Sequence, residues 1–345
     1  LIINHTSKIP LNELREYRSN IPTTTYELFK NANLNVVRIF SPEHGFSGQY
    51  DAGEEVPSTS EIVSLYGKNK VPQDGHLKDI DVLIFDMQDI GSRYYTYVST
   101  LSHVMKSASD SRVALIILDR VNPIGRKIQG PTLDTDYSSF VGMHPIPIRH
   151  GLSIGELSRM IVRLNWMDFK NRLRLEVVPV SGWDGGYVSL QTKPSPNIED
   201  MESALIYSGM CLLEGTNLSE GRGTDTPFKL FGAPWINAEE VLDEIGLVEG
   251  AELSAVSFTP ASMPGKSKYP KFQNELCAGI KIRVTDMEKF KPLELAVAVL
   301  KAAHELHPDS FKILDSNFLD KLYGSEKLKS NIINGSSINE LIVTW

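Results

Sequence analysis

The feature that most constrains the fold is a succession of short, predominantly apolar runs in the first 120 residues, of which only the run at 36–40 contains a charged residue, Arg38. These runs comprise residues 1–3, 36–40, 82–85 and 113–118. Branched apolar runs of this length are typical of strands that are buried on both faces. Helical stretches at 24–32 and 95–108 lie between them. This alternation predicts right-handed crossovers and an α/β domain built on a doubly wound parallel sheet.

The pattern changes near Arg172, so we predict two domains, over residues 1–170 and 171–345. The second part begins with a strand-like run at 175–180 and a loop rich in Gly, Ser and Pro at 181–197. Further helices are predicted at 201–213 and 293–306, and further strands at 255–259 and 279–284. This order of elements favours a second, smaller α+β domain.

Polar segments follow all four predicted strands of the first domain. They are Asn4-His5-Thr6, Glu43-His44-Gly45, Asp86-Met87-Gln88-Asp89 and Asp119-Arg120-Val121-Asn122-Pro123. Ligands of doubly wound sheets bind beyond the carboxyl ends of the strands, where these segments are expected to meet. Each residue taken singly also fits a helix cap or a turn. Four such segments in succession favour a functional site.

Composition excludes several classes of partner and cofactor. The net charge of -8 and the absence of a dense basic run argue against a nucleic-acid partner. The longest apolar runs are far shorter than the roughly 20 residues of a membrane span. No G-x-G-x-x-G follows the early strands, no Walker A loop occurs, and the eight histidines show no zinc-hydrolase spacing. We therefore expect no cofactor and no metal.

The two cysteines, Cys211 and Cys277, stand in no metal-binding or redox spacing. Two buried, unreacted thiols are the favoured interpretation, and a single disulfide between them remains open. The chain begins within a strand-like run at Leu1 and without Met, so we expect upstream residues that can include a targeting peptide.

The segment Gly151-Leu152-Ser153-Ile154-Gly155 matches the G-x-S-x-G pattern of a hydrolase nucleophile elbow. The same Ser153 forms S-x-x-E with Glu156 immediately before an apolar helical run, which is the pattern of a capping box. A nucleophile elbow follows a buried strand, whereas Pro145-Ile146-Pro147 precedes this segment. The capping box is therefore favoured over a serine nucleophile.

Carboxylates are the remaining candidates for catalysis. Those in loops after predicted strands are Glu43, Asp51, Glu54, Glu55, Asp86 and Asp89. Cleavage of a glycosidic bond uses two carboxyl groups, one as an acid and one as a base or nucleophile. Glu43 lies between a buried strand and Gly45, and the desolvation expected there raises a carboxyl pKa and favours the acid role. The alternative is a Glu that braces its loop through backbone amides.

A second polar stretch runs from Leu213 to Thr224 and contains three glycines around Arg222. Such a loop can close on a small polar ligand, and Arg222 can pair bidentately with a carboxylate. An arginine that braces the loop against Glu214 or Glu220 is an equally good interpretation.

Together these segments resemble the exo-β-N-acetylmuramidases of the NamZ type. The motifs that carry the resemblance are Asn4-His5-Thr6, Pro42-Glu43-His44-Gly45-Phe46, Asp51-Ala52-Gly53-Glu54, Asp86 to Tyr97, Asp119 to Pro123, Pro194-Ser195-Pro196-Asn197 and Leu213 to Thr224. The resemblance implies a Rossmann-like domain with a smaller domain that closes the active-site cleft. It also implies a glycoside hydrolase that removes N-acetylmuramic acid from the non-reducing ends of peptidoglycan fragments.

The resemblance also assigns roles to residues. Glu43 is implied as the catalytic acid/base, and Glu54 is the preferred partner because Glu55 stands where relatives often carry a basic residue. The implied substrate-binding residues are Asn4, His5, His44, Asp86, Gln88, Asp89, Arg93, Tyr97, Arg120, Asn122, Asn197, Glu214, Asn217, Arg222 and Thr224. Muramic acid carries a lactyl carboxylate, for which Arg222, Arg93 and Arg120 are the candidates, in that order.

This chain departs from the family pattern at two places. Val121 replaces the first proline of the Asp-Arg-Pro-Asn-Pro form, and Gln191-Thr192-Lys193 stands where relatives tend to have Trp. The expected substrate is a muropeptide or muramyl disaccharide, acted on in the periplasm or outside the cell. Two alternatives remain: a lyase or etherase acting on the lactyl ether, and a non-catalytic cell-wall sugar-binding protein.

Overall fold

The computed structural model describes residues 1–9, 23–51, 54–59, 61–343 and 345. The strands of these residues are β1 (Ile2–Ile3), β2 (Ile39–Ser41), β3 (Ile62–Ser64), β4 (Val82–Asp86), β5 (Ala114–Leu118), β6 (Gln129–Thr132), β7 (Pro147–Arg149), β8 (Leu175–Val178), β9 (Leu230–Ala233), β10 (Ala251–Phe258) and β11 (Cys277–Val284). The helices are α1 (Thr25–Asn31), α2 (Asp74–Leu77), α3 (Tyr97–Asp110), α4 (Ile154–Arg163), α5 (Met201–Met210), α6 (Ala238–Ile245), α7 (Pro292–Leu306), α8 (Phe318–Tyr323), α9 (Lys327–Asn334) and α10 (Ile338–Ile342).

Two compact units share the chain, and their segments interleave. The first unit comprises Leu1–Gly91, Tyr95–Arg126 and Gly151–Pro196, and the second comprises Ser92–Tyr94, Lys127–His150 and Asn197–Trp345. The prediction of a single boundary after residue 170 places β8 in the second domain. In the structure β8 pairs with β5 and belongs to the first unit.

The first unit contains a six-stranded parallel sheet in the order β3-β2-β1-β4-β5-β8. This is the strand order of Rossmann folds, and the predicted α/β class is confirmed. The sheet is buried on its central strands, where Leu83, Phe85, Leu115 and Ile117 are almost completely inaccessible. The strand order reverses between β1 and β4. A crevice for ligands is expected at the carboxyl ends of these two strands.

The second unit is built on antiparallel strands, as expected for an α+β domain. One sheet has the order β10-β11-β9, and β6 pairs with β7. Helices α5 and α7 approach closely at Gly209, where an added Cβ would lie 2.0 Å from the carbonyl oxygen of Pro292. Only glycine allows this contact, because any side chain there would displace one helix.

Candidate active site

The carboxyl ends of β1 and β4 are joined by a chain of hydrogen bonds. Asn4, which follows β1, donates from Nδ2 to the Tyr97 hydroxyl at 2.7 Å and accepts from the Thr6 hydroxyl at 2.6 Å. Thr6 in turn accepts from the backbone amide of Gln88, which follows β4, at 3.0 Å. The predicted polar strand ends therefore meet at the point where the strand order reverses.

Glu43 lies after β2 in the same unit, and its residue is only 8% exposed. The Thr96 hydroxyl donates to its Oε2 at 2.6 Å. Thr96 is the N-cap of α3, yet its side chain accepts no helix amide. The hydroxyl that would ordinarily cap the helix instead holds the buried carboxyl, which fixes Glu43 relative to the start of α3.

The backbone turns sharply after Glu43. His44 has a left-handed conformation with φ 69°, and Gly45 follows at φ 72°. A left-handed conformation is unusual for histidine and costs of order 1–3 kcal/mol, which the surroundings must offset. His44 Nδ1 lies 2.8 Å from the carbonyl oxygen of Tyr50. The strained turn directly follows the candidate catalytic carboxyl, as is common at functional sites.

Two tyrosines at the start of α3 line the same region. The rings of Tyr95 and Tyr97 lie 4.6 Å apart between centroids, and the Tyr95 hydroxyl donates to the carbonyl oxygen of Pro194 at 2.9 Å. Burial raises the pKa of both hydroxyls well above the ordinary range. Both side chains therefore remain neutral hydrogen-bonding groups at any pH at which the protein works.

His5 contacts the loop that precedes Pro194. Its Nε2 lies 2.8 Å from the carbonyl oxygen of Lys193, and its ring packs over Gly48, where an added Cβ would lie 2.2 Å from Nδ1. Burial lowers the pKa of His5, and the nearby His44 lowers it further. His5 is therefore neutral near pH 7. The loop before Pro194 is anchored to the site through its backbone.

Asp86 and Arg120 form an ion pair at the end of β4. Arg120 Nε lies 2.6 Å from Asp86 Oδ1, and the Thr25 hydroxyl donates to the other carboxylate oxygen. Arg120 Nη2 also donates to the Lys8 carbonyl at 3.1 Å. Asp86 is buried, whereas the Arg120 side chain keeps 19% of its surface exposed. Asp86 is therefore charge-compensated, and Arg120 is accessible.

The remaining predicted residues of the first unit shape its loops. The backbone amide of Gly91 donates to Asp89 Oδ2 at 2.8 Å, and the Gln88 side chain donates to the carbonyls of Asp89 and Val121. Asn122 donates to the Leu152 carbonyl at 3.1 Å. Gly91 fits closely against Asn122, since an added Cβ would lie 2.3 Å from Oδ1. These buried side chains hold the loops after β4 and β5 together.

Glu54, the predicted partner of Glu43, is exposed. Its Oε2 accepts from the backbone amide of Asp51 at 2.9 Å, so the side chain folds back on its own loop. Ala52 and Gly53 of the same motif lie outside the described residues. Its assignment as the second catalytic group stays a prediction.

Arg93 belongs to the second unit, where its side chain binds backbone carbonyls. It is 1% exposed, and its terminal nitrogens donate to the backbone carbonyls of Pro131, Ile146, Leu322 and Tyr323 at 2.7 to 2.9 Å. Burial lowers the pKa of its guanidinium to about 10. Both terminal nitrogens of Arg93 are therefore occupied by backbone carbonyls and are not available to bind the sugar.

Arg222 lies between two carboxylates of the second unit. Its Nη2 is 2.8 Å from Glu214 Oε1, its Nε is 3.5 Å from Glu220 Oε1, and its guanidinium stacks 5.0 Å above Phe228. Burial acts to lower the pKa of Arg222, but the two carboxylates outweigh it and raise that pKa. Of the two interpretations of this loop, the bracing arginine is the one that the contacts describe.

Three further predicted residues also bind backbone within the second unit. Asn197 donates to the Lys266 carbonyl at 2.6 Å, and Asn217 donates to the Ser310 carbonyl at 2.8 Å. Thr224 donates to the Gly221 carbonyl at 2.7 Å. These side chains organise the loops around Arg222.

Thr96, Tyr95 and Thr25 are not among the predicted site residues, although all three contact predicted site residues in the structure. Thr96 and Tyr95 lie within the motif from Asp86 to Tyr97, so a signal for them was present in the sequence. Thr25 is the first residue of α1, and only its contact with Asp86, 61 positions away, gives it a role. Each acts through a long-range hydrogen bond that sequence spacing does not reveal.

Among the described residues, no three His, Cys, Asp or Glu side chains converge in a way that could hold a metal ion. No helix in the described ranges has both the length and the apolar surface that a bilayer crossing requires. Cys211 and Cys277 are free thiols, which confirms the favoured interpretation over a disulfide.

Comparisons with known proteins agree with the motifs. Two family models match the chain, "Exo-beta-N-acetylmuramidase NamZ, N-terminal" over residues 1–202 and "Exo-beta-N-acetylmuramidase NamZ, C-terminal" over residues 205–345. The peptidoglycan β-N-acetylmuramidase NamZ of Bacillus subtilis is 38% identical over 333 residues, which cover 92% of this chain and 78% of that protein. Two crystal structures of DUF1343 family proteins from Bacteroides fragilis are similar over the whole chain and 88% of their own, with TM-scores of 0.85 and 0.77 at 28% and 31% identity.

Proposed function

Because this chain belongs to the exo-β-N-acetylmuramidase NamZ family, we propose that it is a glycoside hydrolase that releases N-acetylmuramic acid from peptidoglycan fragments. The bond cleaved is the β-glycosidic bond of a muramic acid residue at a non-reducing end. The substrate is a muropeptide or a muramyl disaccharide.

One observation carries the catalytic assignment. Glu43 is buried, is held by Thr96 at 2.6 Å, and stands beside the crevice at which ligands of doubly wound sheets bind. A general acid needs this fixed geometry, because proton transfer to the leaving oxygen requires hydrogen-bonding distance in the reacting complex. In the proposed mechanism Glu43 protonates the glycosidic oxygen as its bond to the anomeric carbon breaks, and the second group of the mechanism attacks that carbon and forms an intermediate. The Glu43 carboxylate then takes a proton from the water that attacks the anomeric carbon and displaces the second group.

The second group of the mechanism is proposed to be Glu54. Asp86 is neutralised by Arg120, and Asp89 accepts from the Gly91 amide, so both have structural partners. Glu54 is exposed on a loop of the same unit and can turn towards a substrate at the cost of one hydrogen bond. If Glu54→Gln retains full activity, the acetamido group of the substrate must take the place of a second carboxylate.

Arg120 is proposed to bind the lactyl carboxylate that distinguishes muramic acid from N-acetylglucosamine. It follows β5, next to β4 in the sheet, and is the candidate arginine of the first unit. The Arg120 and Arg222 side chains are about equally exposed, at 19% and 18%. Arg120 is paired with one carboxylate, whereas Arg222 lies between two and the terminal nitrogens of Arg93 are bound to backbone. We expect Arg120→Ala to raise KM for muramyl substrates more than it lowers kcat, and Arg120→Lys to retain part of the affinity.

The site of action is proposed to be the periplasm or the exterior of the cell, where peptidoglycan lies, with a role in recycling cell-wall fragments. Fractionation of the source organism, with detection by antibody, tests this. Recovery of the protein solely with cytoplasmic markers would contradict it.

The activity itself is tested on a disaccharide of N-acetylmuramic acid β-linked to N-acetylglucosamine. We expect free N-acetylmuramic acid with its lactyl ether intact, and only terminal release from longer glycan strands. Release of lactate would indicate the etherase alternative. Binding of the disaccharide without turnover would indicate a sugar-binding protein.

A further inference from the structure

A basic cavity lies at the opposite edge of the six-stranded sheet from Glu43. It is formed where α4 ends and β8 begins, has a volume of about 560 Å³, and is open to solvent. Four cationic side chains line it, namely Arg159, Arg163, Lys170 and Arg172. The cavity lies at the amino end of β8, whereas the catalytic crevice of the same unit lies at the carboxyl ends of the strands. The two are therefore separate.

These four cations have no carboxylate partner among the described residues, and all four are exposed. Some cations elsewhere are paired, as in Arg126 with Glu156 at 2.8 Å or Lys127 with Glu288 at 2.6 Å. Residues 159–174 contain five basic residues and one acid, in a chain whose net charge is -8. Like charges around one cavity repel one another, and a bound anion would relieve that repulsion.

The end of α4 explains only part of this cluster. A cation in the last turn of a helix interacts favourably with the helix dipole, and Arg163 has this position. Lys170 and Arg172 lie beyond the helix and gain nothing from it.

Apolar side chains also line the cavity, namely Val162, Phe169, Leu173 and Leu175. Guanidinium groups match the geometry of phosphate oxygens and bind them bidentately, and apolar or aromatic side chains suit the face of a sugar ring. We propose that this cavity binds a phosphorylated saccharide, with the phosphate held by Arg163 and Arg172 and the ring against the apolar side chains.

The shape and the charge favour this ligand over two macromolecular ones. A membrane surface is bound by projecting apolar side chains and scattered cations, whereas these cations surround a concavity. A nucleic acid requires a continuous basic stripe with stacking aromatic residues, and Phe169 is the sole aromatic side chain in the lining.

The test uses the whole chain and isothermal titration calorimetry at low and at physiological ionic strength. The probes are glucose 6-phosphate, inorganic phosphate, uncharged glucose and vesicles of phosphatidylglycerol. The cavity variant is Arg163→Glu/Arg172→Glu, and Arg163→Gln/Arg172→Gln is a milder version for the case in which the first fails to fold. The matched control is Arg283→Glu/Lys289→Glu, which changes the charge equally at exposed sites of the second unit.

We expect glucose 6-phosphate to bind to the wild type at least tenfold more tightly than inorganic phosphate does. Its affinity is expected to fall at least tenfold in the cavity variants and to stay unchanged in the control. Muramidase activity is expected to be unchanged in all variants, so failure here is distinguishable from failure of the proposed function. Four results would each overturn the proposal. They are an equal loss of affinity in the control, equal affinity for inorganic phosphate and glucose 6-phosphate, binding to vesicles alone, and no binding of glucose 6-phosphate at low ionic strength.

Discussion

At the scale of single residues, Thr96 is expected to act as a positioning residue for Glu43. Thr96→Val keeps the shape of the side chain and removes the hydroxyl that donates at 2.6 Å. A typical intramolecular hydrogen bond contributes about 0.5–1.5 kcal/mol, which corresponds to a loss of roughly 2- to 10-fold in kcat. KM is expected to change little, and Thr96→Ser is expected to restore most of the activity. Equal losses in both variants, or a loss confined to KM, would contradict this role.

Glu43 could be predicted from the sequence because it follows a buried strand and stands in a distinctive motif. Thr96 could not, because its role depends on a contact with a residue 53 positions away. The sequence allowed two roles for Arg222, ligand binding and bracing of its loop. It shows that Glu214 and Glu220 are nearby but not the direction of the guanidinium. Long-range hydrogen bonds and side-chain direction are properties of the folded chain.

At the scale of elements, the start of α4 distinguishes a helix cap from a serine nucleophile. The Ser153 hydroxyl accepts from the Glu156 amide at 3.2 Å and donates to Asp119 Oδ2 at 2.7 Å, and Glu156 Oε2 accepts from the Ser153 amide at 2.9 Å. This is a capping box, as predicted. Ser153→Ala is expected to lower the free energy of unfolding by about 1–2 kcal/mol and to leave kcat unchanged.

Urea denaturation and the disaccharide assay measure the two effects of Ser153→Ala, with the exposed Ser330→Ala as control. The control is expected to stay within about 0.5 kcal/mol of the wild type. Loss of turnover in Ser153→Ala at wild-type stability would instead support a serine nucleophile.

The strands β1, β2, β4 and β5 were predictable because each contains a continuous apolar run. Strand β3 was not, since Ile62–Ser64 is three residues long and too short for a pattern. Strand β8 was predicted from its apolar run, whereas its pairing with β5 is a tertiary event that local sequence does not specify.

At the scale of the whole molecule, the charged cluster around Glu220 gives stability a defined pH dependence. Lys271 lies 2.9 Å and Arg222 3.5 Å from the buried Glu220 carboxylate. Burial alone would raise the pKa of Glu220, but these two cations outweigh it and hold that pKa below its ordinary 4.5. The stabilisation is therefore complete above about pH 4.5 and is lost as the pH falls through the lower pKa of the folded state.

Glu220→Gln is expected to reduce the free energy of unfolding at pH 7 by less than the roughly 3–5 kcal/mol of a fully buried ion pair, because it removes the compensation of two partly buried cations. The difference in the free energy of unfolding between Glu220→Gln and the wild type should become smaller below about pH 4.5. Urea denaturation across this range measures it, with Glu244→Gln as an exposed control. A difference that is constant with pH would show that Glu220 is not ionised in the folded protein.

The division of the chain into units illustrates what the sequence does not contain. Residues 127–150 belong to the second unit, where the Asp134 amide donates to the carbonyl of Gly324 and Arg93 bonds to the carbonyls of both Ile146 and Leu322. The local composition of this segment does not indicate that it belongs to a different unit from the residues directly before and after it. Its assignment follows from pairing between distant residues.

The central claim, that Glu43 is the catalytic acid/base, is tested most directly by kcat of Glu43→Gln on the muramyl-glucosaminyl disaccharide. The exposed Glu55→Gln, which makes the same chemical change in the same unit, is the control. We predict a fall of roughly 100- to 10,000-fold for Glu43→Gln, with the folded state preserved, and wild-type turnover for Glu55→Gln. Retention of most of the activity in Glu43→Gln would contradict the claim.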